Sequence, residues 1–258
     1  HEIGKRDVND LLDAVVARGS HVMANRLLAV LRKLFNWSVS RGIITASPCE
    51  GLSAPYREKA RDRVLSNDEL VTIINTAKQM GGAFGSIIRM LILTAQRRNE
   101  VSEMAWDELD LDNNQWGIPS SRTKNEKPHT VHLSEQAAAV VTEVKNIGPF
   151  VFTSNGKTPF SGFSKSKKRL DELSGVSEWR LHDIRRTVTS GMAQLGIRPH
   201  IADKILNHQS GTISGVAAVY QRHEFLEERK TALDAWGSYV QSLLDKTDRD
   251  NVVNIQDR

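Results

Sequence analysis

The stretch from Arg180 to His223 constrains the fold most strongly, because helical periodicity and several polar side chains occur together in it. Four apolar residues recur there at the spacing of one helical face: Ile184, Val188, Met192 and Leu195. Gly196 follows them as a C-terminal glycine, and a shorter helix opens at Pro199, with His208 beyond its last apolar residue. The sequence therefore predicts two consecutive helices whose polar groups lie beside the apolar face.

The polar residues of this stretch suit a site that binds a phosphodiester. His182 and Arg185 are three residues apart, so they lie on a common helical face and can converge on one ligand. Guanidinium groups clamp phosphate oxygens through paired hydrogen bonds, and imidazoles donate further ones. A tyrosine such as Tyr220 acts as a nucleophile only among cations that favour its phenolate. Each residue alone is more often a capping, solvated or core residue, so only their combination favours the functional interpretation.

Three motifs of the stretch resemble those of the tyrosine recombinases, in particular the phage and prophage integrases. LHDIRR resembles the His-x-x-Arg motif, LNH the Gly-His motif and VYQRH the terminal tyrosine motif. Upstream, TAQRRNE resembles the motif Thr-Gly-x-Arg-x-x-Glu, with Ala95 in place of the glycine. The resemblance implies that Glu100 supports the first arginine. It also implies six catalytic residues: Arg97, Lys124, His182, Arg185, His208 and Tyr220.

The activity that this resemblance implies is site-specific recombination of DNA, which integrates or excises a phage, a prophage or a genomic island. Tyr220 would form a 3′-phosphotyrosyl intermediate, and Lys124 would protonate the leaving 5′-hydroxyl. His182 is either the base or a phosphate ligand. The gap between His208 and Tyr220 is long, so delivery of the nucleophile in cis or in trans stays open. The alternatives are a type IB topoisomerase that relaxes DNA and a non-catalytic DNA-binding regulator.

The composition is that of a globular protein. Its mild positive charge permits binding of nucleic acid but does not establish it. The 258 residues are 39% hydrophobic and 26% charged, with a net charge of +4. The single cysteine, Cys49, excludes an internal disulfide and favours a reducing compartment. No apolar run approaches the roughly 20 residues of a membrane span, and no signal peptide is evident. The chain starts at His1 without Met, so we expect a fragment that lacks an N-terminal portion.

Composition and resemblance together divide the chain into four parts. Residues 1–54 resemble the C-terminal part of the helical core-binding domain of integrases, and residues 55–64 have the polar composition of a linker. Ser66 and Glu69 form a capping box at the start of a new helix, so the catalytic domain is expected over residues 65–245. Residues 246–258 are polar and predicted to form a flexible tail.

The predicted fold class is α+β and mostly α. The resemblance implies a tyrosine-recombinase catalytic fold with a small three-stranded antiparallel sheet, preceded by part of a helical core-binding domain. The strands are predicted within residues 109–133, from LDL, QWGIP and TVHL, with turn residues after the first. Lys124 and Lys127 lie in the second hairpin, and the Thr-Lys context of Lys124 matches the general acid of the family better.

Further residues are candidates for contacts with the DNA backbone, with a solvated surface as the alternative for each: Asn25, Arg26, Lys33, Lys127, Lys165, Lys167 and Lys168. The expected partners are double-stranded DNA attachment sites, a homotetramer on DNA with a monomer when free, and accessory DNA-bending proteins. No metal or cofactor motif is present, and the proposed chemistry needs neither. The resemblance places the protein in the cytoplasm of a bacterial host, at the nucleoid, with no membrane partner.

Overall fold

The computed structural model describes residues 3–208 and 223–250, with side chains up to residue 246. The predicted nucleophile Tyr220 lies outside the described residues. The chain divides into two compact units, His1–Arg61 and Asp62–Arg258. The division falls inside the segment that composition assigns to a linker.

The first unit contains two helices, α1 (Lys5–Ala17) and α2 (His21–Ser40). They pack through a small core: Val8, Leu12, Leu28 and Cys49. Leu11 and Leu34, which the periodicity assigns to the apolar faces, are 45% and 50% exposed. The reason is that the described part of this unit covers only one side of each helix.

The second unit begins with α3 (Asn67–Met80), α4 (Gly82–Thr94) and the short α5 (Arg98–Ser102). The predicted capping box at α3 is present, because Ser66 Oγ accepts from the Glu69 amide at 3.2 Å and Glu69 accepts from the Ser66 amide at 2.8 Å. Helix α4 is apolar and almost wholly buried. Trp236 donates its indole N–H to the carbonyl of Ile92 at 2.8 Å, which ties the C-terminal helix to α4.

A three-stranded antiparallel sheet follows, with β1 (Leu109–Asp110), β2 (Gln115–Ile118) and β3 (His129–His132) in the order β1-β2-β3. Trp116 pairs with Val131 in the β2–β3 register, and both are buried. The predicted fold class, mostly α with this small sheet, is confirmed. The apolar spacing of Val101, Met104 and Ala105 predicts a helical face, but α5 ends at Ser102 and Ala105 pairs instead with Phe150 in an isolated bridge.

The remaining helices complete the unit: α6 (Glu135–Thr142), α7 (Phe163–Ser174), α8 (Leu181–Gln194), α9 (Pro199–Ile205) and α10 (Leu226–Asp250). Ile184, Val188 and Met192 of α8 are buried as predicted, whereas Leu195, which follows the last helical residue, is 38% exposed. Gly191 allows α8 to approach α10, because a Cβ there would lie 2.3 Å from the ring of Trp236. Helix α10 continues to Asp250, past the predicted domain end at residue 245. Among the helices of the described ranges, none combines the length and apolar character needed to span a bilayer.

Candidate functional site

Arg97 lies at the start of α5, where the chain turns sharply after α4. Ala95 adopts a left-handed conformation with φ of 56°, and Gln96 is fully buried beside it. Glu100 forms two hydrogen bonds with Arg97. Its carboxylate accepts one from the Arg97 backbone N–H at 2.8 Å and one from Nη1 at 2.7 Å. Glu100 is 3% exposed, so this ion pair is more strongly coupled than a surface pair would be.

Arg185, on α8, is 5% exposed and held by backbone carbonyls. Its Nη1 donates to the carbonyl of Ala95, and its Nη2 donates to the carbonyl of Leu206 at 2.7 Å. Burial, with the nearby charge of Arg97 as the second cause, lowers the pKa of Arg185 to about 10. The group therefore stays charged at neutral pH. Within the described residues no carboxylate lies within ion-pair distance of it.

Two histidines face these arginines. His208, just after α9, has Nε2 3.4 Å from Nη2 of Arg185 and Nδ1 3.5 Å from Asp203 Oδ1. Partial burial, followed by the charge of Arg185, lowers the pKa of His208 despite Asp203. The same two causes lower the pKa of His182, in the first turn of α8. Both imidazoles are therefore mainly neutral at pH 7, and each offers one N–H donor and one lone pair.

Lys124 lies in the connection between β2 and β3, and its side chain is exposed. The next residue, Asn125, donates from Nδ2 to Oδ1 of Asn207 at 2.6 Å. Asn207 in turn accepts from Nη2 of Arg97 through its carbonyl at 3.4 Å. The segment that carries Lys124 is thus attached to the arginine site through its neighbour.

The structure brings together most of the catalytic residues expected from the motifs. Arg97, Glu100, Arg185 and His208 are joined by direct contacts or through shared neighbours. His182 lies three residues before Arg185 on α8, and the charges of Arg185 and Arg97 contribute to lowering its pKa. Tyr220 is not among the described residues.

The residues expected to contact the DNA backbone fall into two groups. Arg26, Lys33, Lys127, Lys165 and Lys168 are exposed. Lys167 instead pairs with Asp171 at 2.6 Å and lies 3.9 Å from the centre of the Trp179 ring. The amide of Asn25 binds the carbonyl of Tyr56 at 2.7 Å and Glu58 at 2.9 Å, within the first unit. Lys167 and Asn25 are therefore engaged within the chain.

Sequence reasoning missed the residues that support the site. Asn207 has a left-handed φ of 51°, a conformation in which Asn is enriched, and its place after a helix was the available signal. Arg122 donates from Nη2 to the carbonyl of Glu100 at 2.6 Å and from Nη1 to Glu108. Glu108 also accepts from the indole of Trp116 at 3.0 Å. No motif marked these contacts, because they join segments that local patterns do not connect.

The arrangement carries one net positive charge, which suits a singly charged anion such as a phosphodiester. Arg97 and Arg185 carry two positive charges against the single carboxylate of Glu100, and neutral histidines border them. Guanidinium groups in this setting stabilise charge on phosphoryl oxygens. In the parts of the chain that the structure describes, no group of three or more His, Cys, Asp or Glu residues is placed to hold a metal ion. The fold and site define the class as mostly helical proteins with a paired-arginine site for an anion.

Comparison with known proteins assigns the family. The phage integrase family profile matches residues 63–226, and the chain belongs to this family. The prophage integrase IntA of Escherichia coli (strain K12) is 23% identical over 249 residues, which cover 93% of this chain and 60% of IntA. The chain thus spans about 60% of that relative's length.

Two solved structures have the same fold. A lambda integrase (75–356) dimer bound to a COC′ core site is similar with a TM-score of 0.68 and 19% identity, covering 83% of this chain and 82% of that chain. A lambda integrase tetramer bound to a Holliday junction also gives a TM-score of 0.68, with 18% identity, over 83% of this chain and 66% of that chain.

Proposed function

We propose that this protein is a site-specific DNA recombinase that cleaves and rejoins DNA through a phosphotyrosyl intermediate. The observation that carries the proposal is Arg185, a buried cation held by carbonyl oxygens of the described chain. A buried charge without a compensating ion is costly, and a phosphodiester bound beside Arg97 would offset that cost. Family membership and the relatives' names, prophage integrase and lambda integrase, support DNA recombination as the reaction.

In the proposed first step, Tyr220 Oη attacks the scissile phosphorus, and the P–O5′ bond breaks. Arg97 and Arg185 bind the non-bridging oxygens and stabilise their charge in the transition state. His208 donates a further hydrogen bond to the phosphate. His182 accepts the phenolic proton or binds the phosphate, and Lys124 donates a proton to the leaving 5′ oxygen. The product is a 3′-phosphotyrosyl ester.

In the second step a 5′-hydroxyl of another DNA strand attacks this ester and releases Tyr220. The phosphate ester energy is kept in the protein–DNA bond, so the cycle requires no nucleotide hydrolysis. The proposed partners are double-stranded DNA attachment sites in the cytoplasm of a bacterial cell. By analogy with the two lambda integrase structures, the proposed assemblies are a dimer on one site and a tetramer on the junction.

The test traps the covalent intermediate. A library of nicked duplexes with a randomised core is incubated with the 258-residue chain, and DNA that stays attached under denaturing conditions is amplified and selected again. The nick lets the short cleaved strand diffuse away, which prevents religation. Tyr220→Phe is the control, because it keeps the ring and removes the nucleophile.

We expect a covalent protein–DNA band for the native chain and none for Tyr220→Phe. A folded, DNA-bound native chain that gives no covalent band would refute cleavage and favour a regulator that only binds DNA. Relaxation of a supercoiled plasmid that lacks the selected sequence would instead favour topoisomerase activity.

A further inference from the structure

The side chains of Asn125 and Asn207 form a reciprocal amide pair between two distant parts of the sequence. Asn125 Nδ2 donates to Asn207 Oδ1 at 2.6 Å, and Asn207 Nδ2 donates to Asn125 Oδ1 at 3.4 Å. Asn125 belongs to the connection between β2 and β3, whereas Asn207 follows α9. The pair therefore joins the segment of Lys124 to the end of α9.

Asn207 lies at the centre of the arginine site. Its own carbonyl accepts from Arg97 at 3.4 Å, and the carbonyl of the preceding Leu206 accepts from Arg185 at 2.7 Å. The following residue, His208, contacts Arg185 as well. A segment that is hydrogen-bonded to Asn207 is therefore held in place relative to both Arg97 and Arg185.

The backbone of Asn207 explains how this residue can be used here. Its φ of 51° is left-handed, a conformation that glycine adopts freely and that Asn tolerates better than most residues. Glycine at this position would give the same backbone without any side chain. Asn adds an amide that reaches the other segment, so the residue type decides whether the two segments are joined.

A second attachment lies on the other side of Lys124. Arg122 donates to the carbonyl of Glu100 at 2.6 Å, and Glu100 pairs with Arg97. Glu108 also accepts from Arg122, and Trp116 of β2 donates to the same carboxylate. Lys124 thus lies between Arg122 and Asn125, and both of these residues are hydrogen-bonded to a residue that contacts Arg97.

We infer that the Asn125–Asn207 amide pair is a positioning device that holds Lys124 at the arginine site for protonation of the leaving 5′ oxygen. This inference rests on the proposed function. Asn125 and Asn207 do not touch the phosphate in this scheme. They act through Lys124, whose long and exposed side chain has no fixed location unless its backbone is fixed.

Leaving-group chemistry separates this role from a general structural one. In a substrate whose bridging 5′ oxygen is replaced by sulfur, attack by Tyr220 breaks the P–S bond and releases a thiolate. A thiol has a pKa of roughly 8.5, far below that of an alcohol, so the thiolate leaves without a proton from Lys124. A defect in the placement of Lys124 should therefore appear with oxygen and disappear with sulfur.

The experiment uses the duplex selected from the randomised library, made with either a 5′-oxygen or a 5′-sulfur at the scissile position. The variants are Asn207→Gly, which keeps the left-handed backbone, Asn125→Ala and the double variant. Lys124→Ala serves as the reference for loss of the general acid. Asn113→Ala is the matched control, because it removes a similar contact of 2.7 Å to Asp110 in the β1–β2 turn.

For the oxygen substrate we expect each single variant and the double variant to form the covalent complex roughly tenfold more slowly than the native chain. The double variant should be no worse than the singles, because both lose the same pair. With the sulfur substrate all three should come within twofold of the native rate, and Asn113→Ala should match the native chain on both substrates.

Three results would overturn the inference. Equal losses on both substrates would mean that the pair supports the site in general, and unchanged rates would mean that Lys124 is positioned without it. Losses that multiply in the double variant would mean that the residues act separately. If the native chain forms no covalent complex on either substrate, the proposed function itself fails, which is a distinct result.

Discussion

Arg185 shows how a single residue defines the chemistry of the site. Its guanidinium spans the carbonyls of Ala95 and Leu206 and keeps its charge while nearly buried, with a pKa of about 10. The partner carboxylate of the site, Glu100, is already bound to Arg97. One positive charge therefore remains for an anionic ligand, in surroundings of low polarity where it interacts strongly.

We expect Arg185→Lys to slow formation of the covalent complex by roughly 10²–10³-fold. A lysine ammonium is a single point charge and cannot reach two carbonyls and a phosphate oxygen in one plane. The measurement is the single-turnover rate at saturating DNA. Arg186→Lys is the control, because Arg186 pairs with Asp183 at 2.6 Å on the same helix. A rate for Arg185→Lys within threefold of native would contradict this role.

Ala95 has a backbone conformation that costs free energy and that the sequence motif did not predict. Alanine in place of the motif's glycine exchanges one small residue for another, yet Ala95 has a left-handed φ of 56°, which glycine adopts more easily than alanine. A non-glycine residue pays roughly 1–2 kcal/mol in this region. Part of this is offset because alanine restricts the unfolded chain.

We therefore expect Ala95→Gly to raise the free energy of unfolding by about 0.5–1 kcal/mol. Urea denaturation followed by circular dichroism measures it. Ala138→Gly, inside the regular helix α6, should have the opposite sign and lower stability by about 1 kcal/mol. A destabilised Ala95→Gly variant would show that the buried methyl group contributes more than the strain.

At the scale of elements, His129 joins β3, α9 and α10. Its Nε2 lies 3.2 Å from the carbonyl of Ile205, and Nη2 of Arg229 lies 3.5 Å from its Nδ1. Arg229, on α10, also donates to the carbonyl of Thr130. Burial first, then the charge of Arg229, lowers the pKa of His129 to about 3. The neutral ring donates from Nε2 and accepts at Nδ1.

This junction should lose stability in acid. The unfolded chain protonates His129 below about pH 6.5, whereas the folded chain does so only near pH 3, so unfolding is favoured progressively as the pH falls between these values. The contribution of His129 to the unfolding free energy should fall by about 2 kcal/mol from pH 7 to pH 5.

Urea unfolding of the native chain and of His129→Gln at both pH values isolates this effect, because glutamine keeps a donor for Ile205 and takes up no proton. The other histidines titrate alike in both proteins. Identical pH dependence in the two proteins would show that His129 is not the group responsible.

At the scale of the whole molecule, the positive charge is unevenly divided. Residues 1–61 contain ten Lys or Arg against six Asp or Glu, and residues 62–258 contain 25 of each. The second unit therefore has no net charge, so the proposed binding of phosphate depends on the local placement of Arg97 and Arg185. The net charge of the first unit suits sequence-independent attraction to DNA.

Within the first unit, Arg26 and Lys33 are exposed on α2 and are our candidates for backbone contacts. The double variant Arg26→Ala/Lys33→Ala should weaken DNA binding and make the slope of log affinity against log salt less negative by about 1.8. Fluorescence anisotropy between 50 and about 200 mM salt measures this slope. The rate of covalent complex formation at saturating DNA should not change.

The control removes two other exposed cations of the same unit, Arg6 and Arg18 of α1 and its C-terminal end. An equal change of slope in this control would show that the first unit attracts DNA by charge alone, without contacts specific to α2.

The sequence alone predicted most of the helices, the three strands and the candidate site residues. Helical and strand periodicities are local properties, so the buried face of α8 and the alternation in β3 could be predicted from neighbouring residues. Arg97, Glu100, Arg185 and His208 carried motif spacings that resemblance could match. The predicted family is confirmed.

Only the tertiary structure decided what surrounds these residues. The Asn125–Asn207 pair joins positions 82 residues apart, and Arg122 reaches the carbonyl of Glu100 across 22 residues. The neutral state of His129 depends on Arg229, which lies on a helix 100 residues later. Such contacts have no local pattern, because hydrogen bonding and desolvation depend on which segments the fold brings together. The sequence thus determined which groups can bind a phosphate, and the fold determined their charge, their burial and the neighbours that hold them.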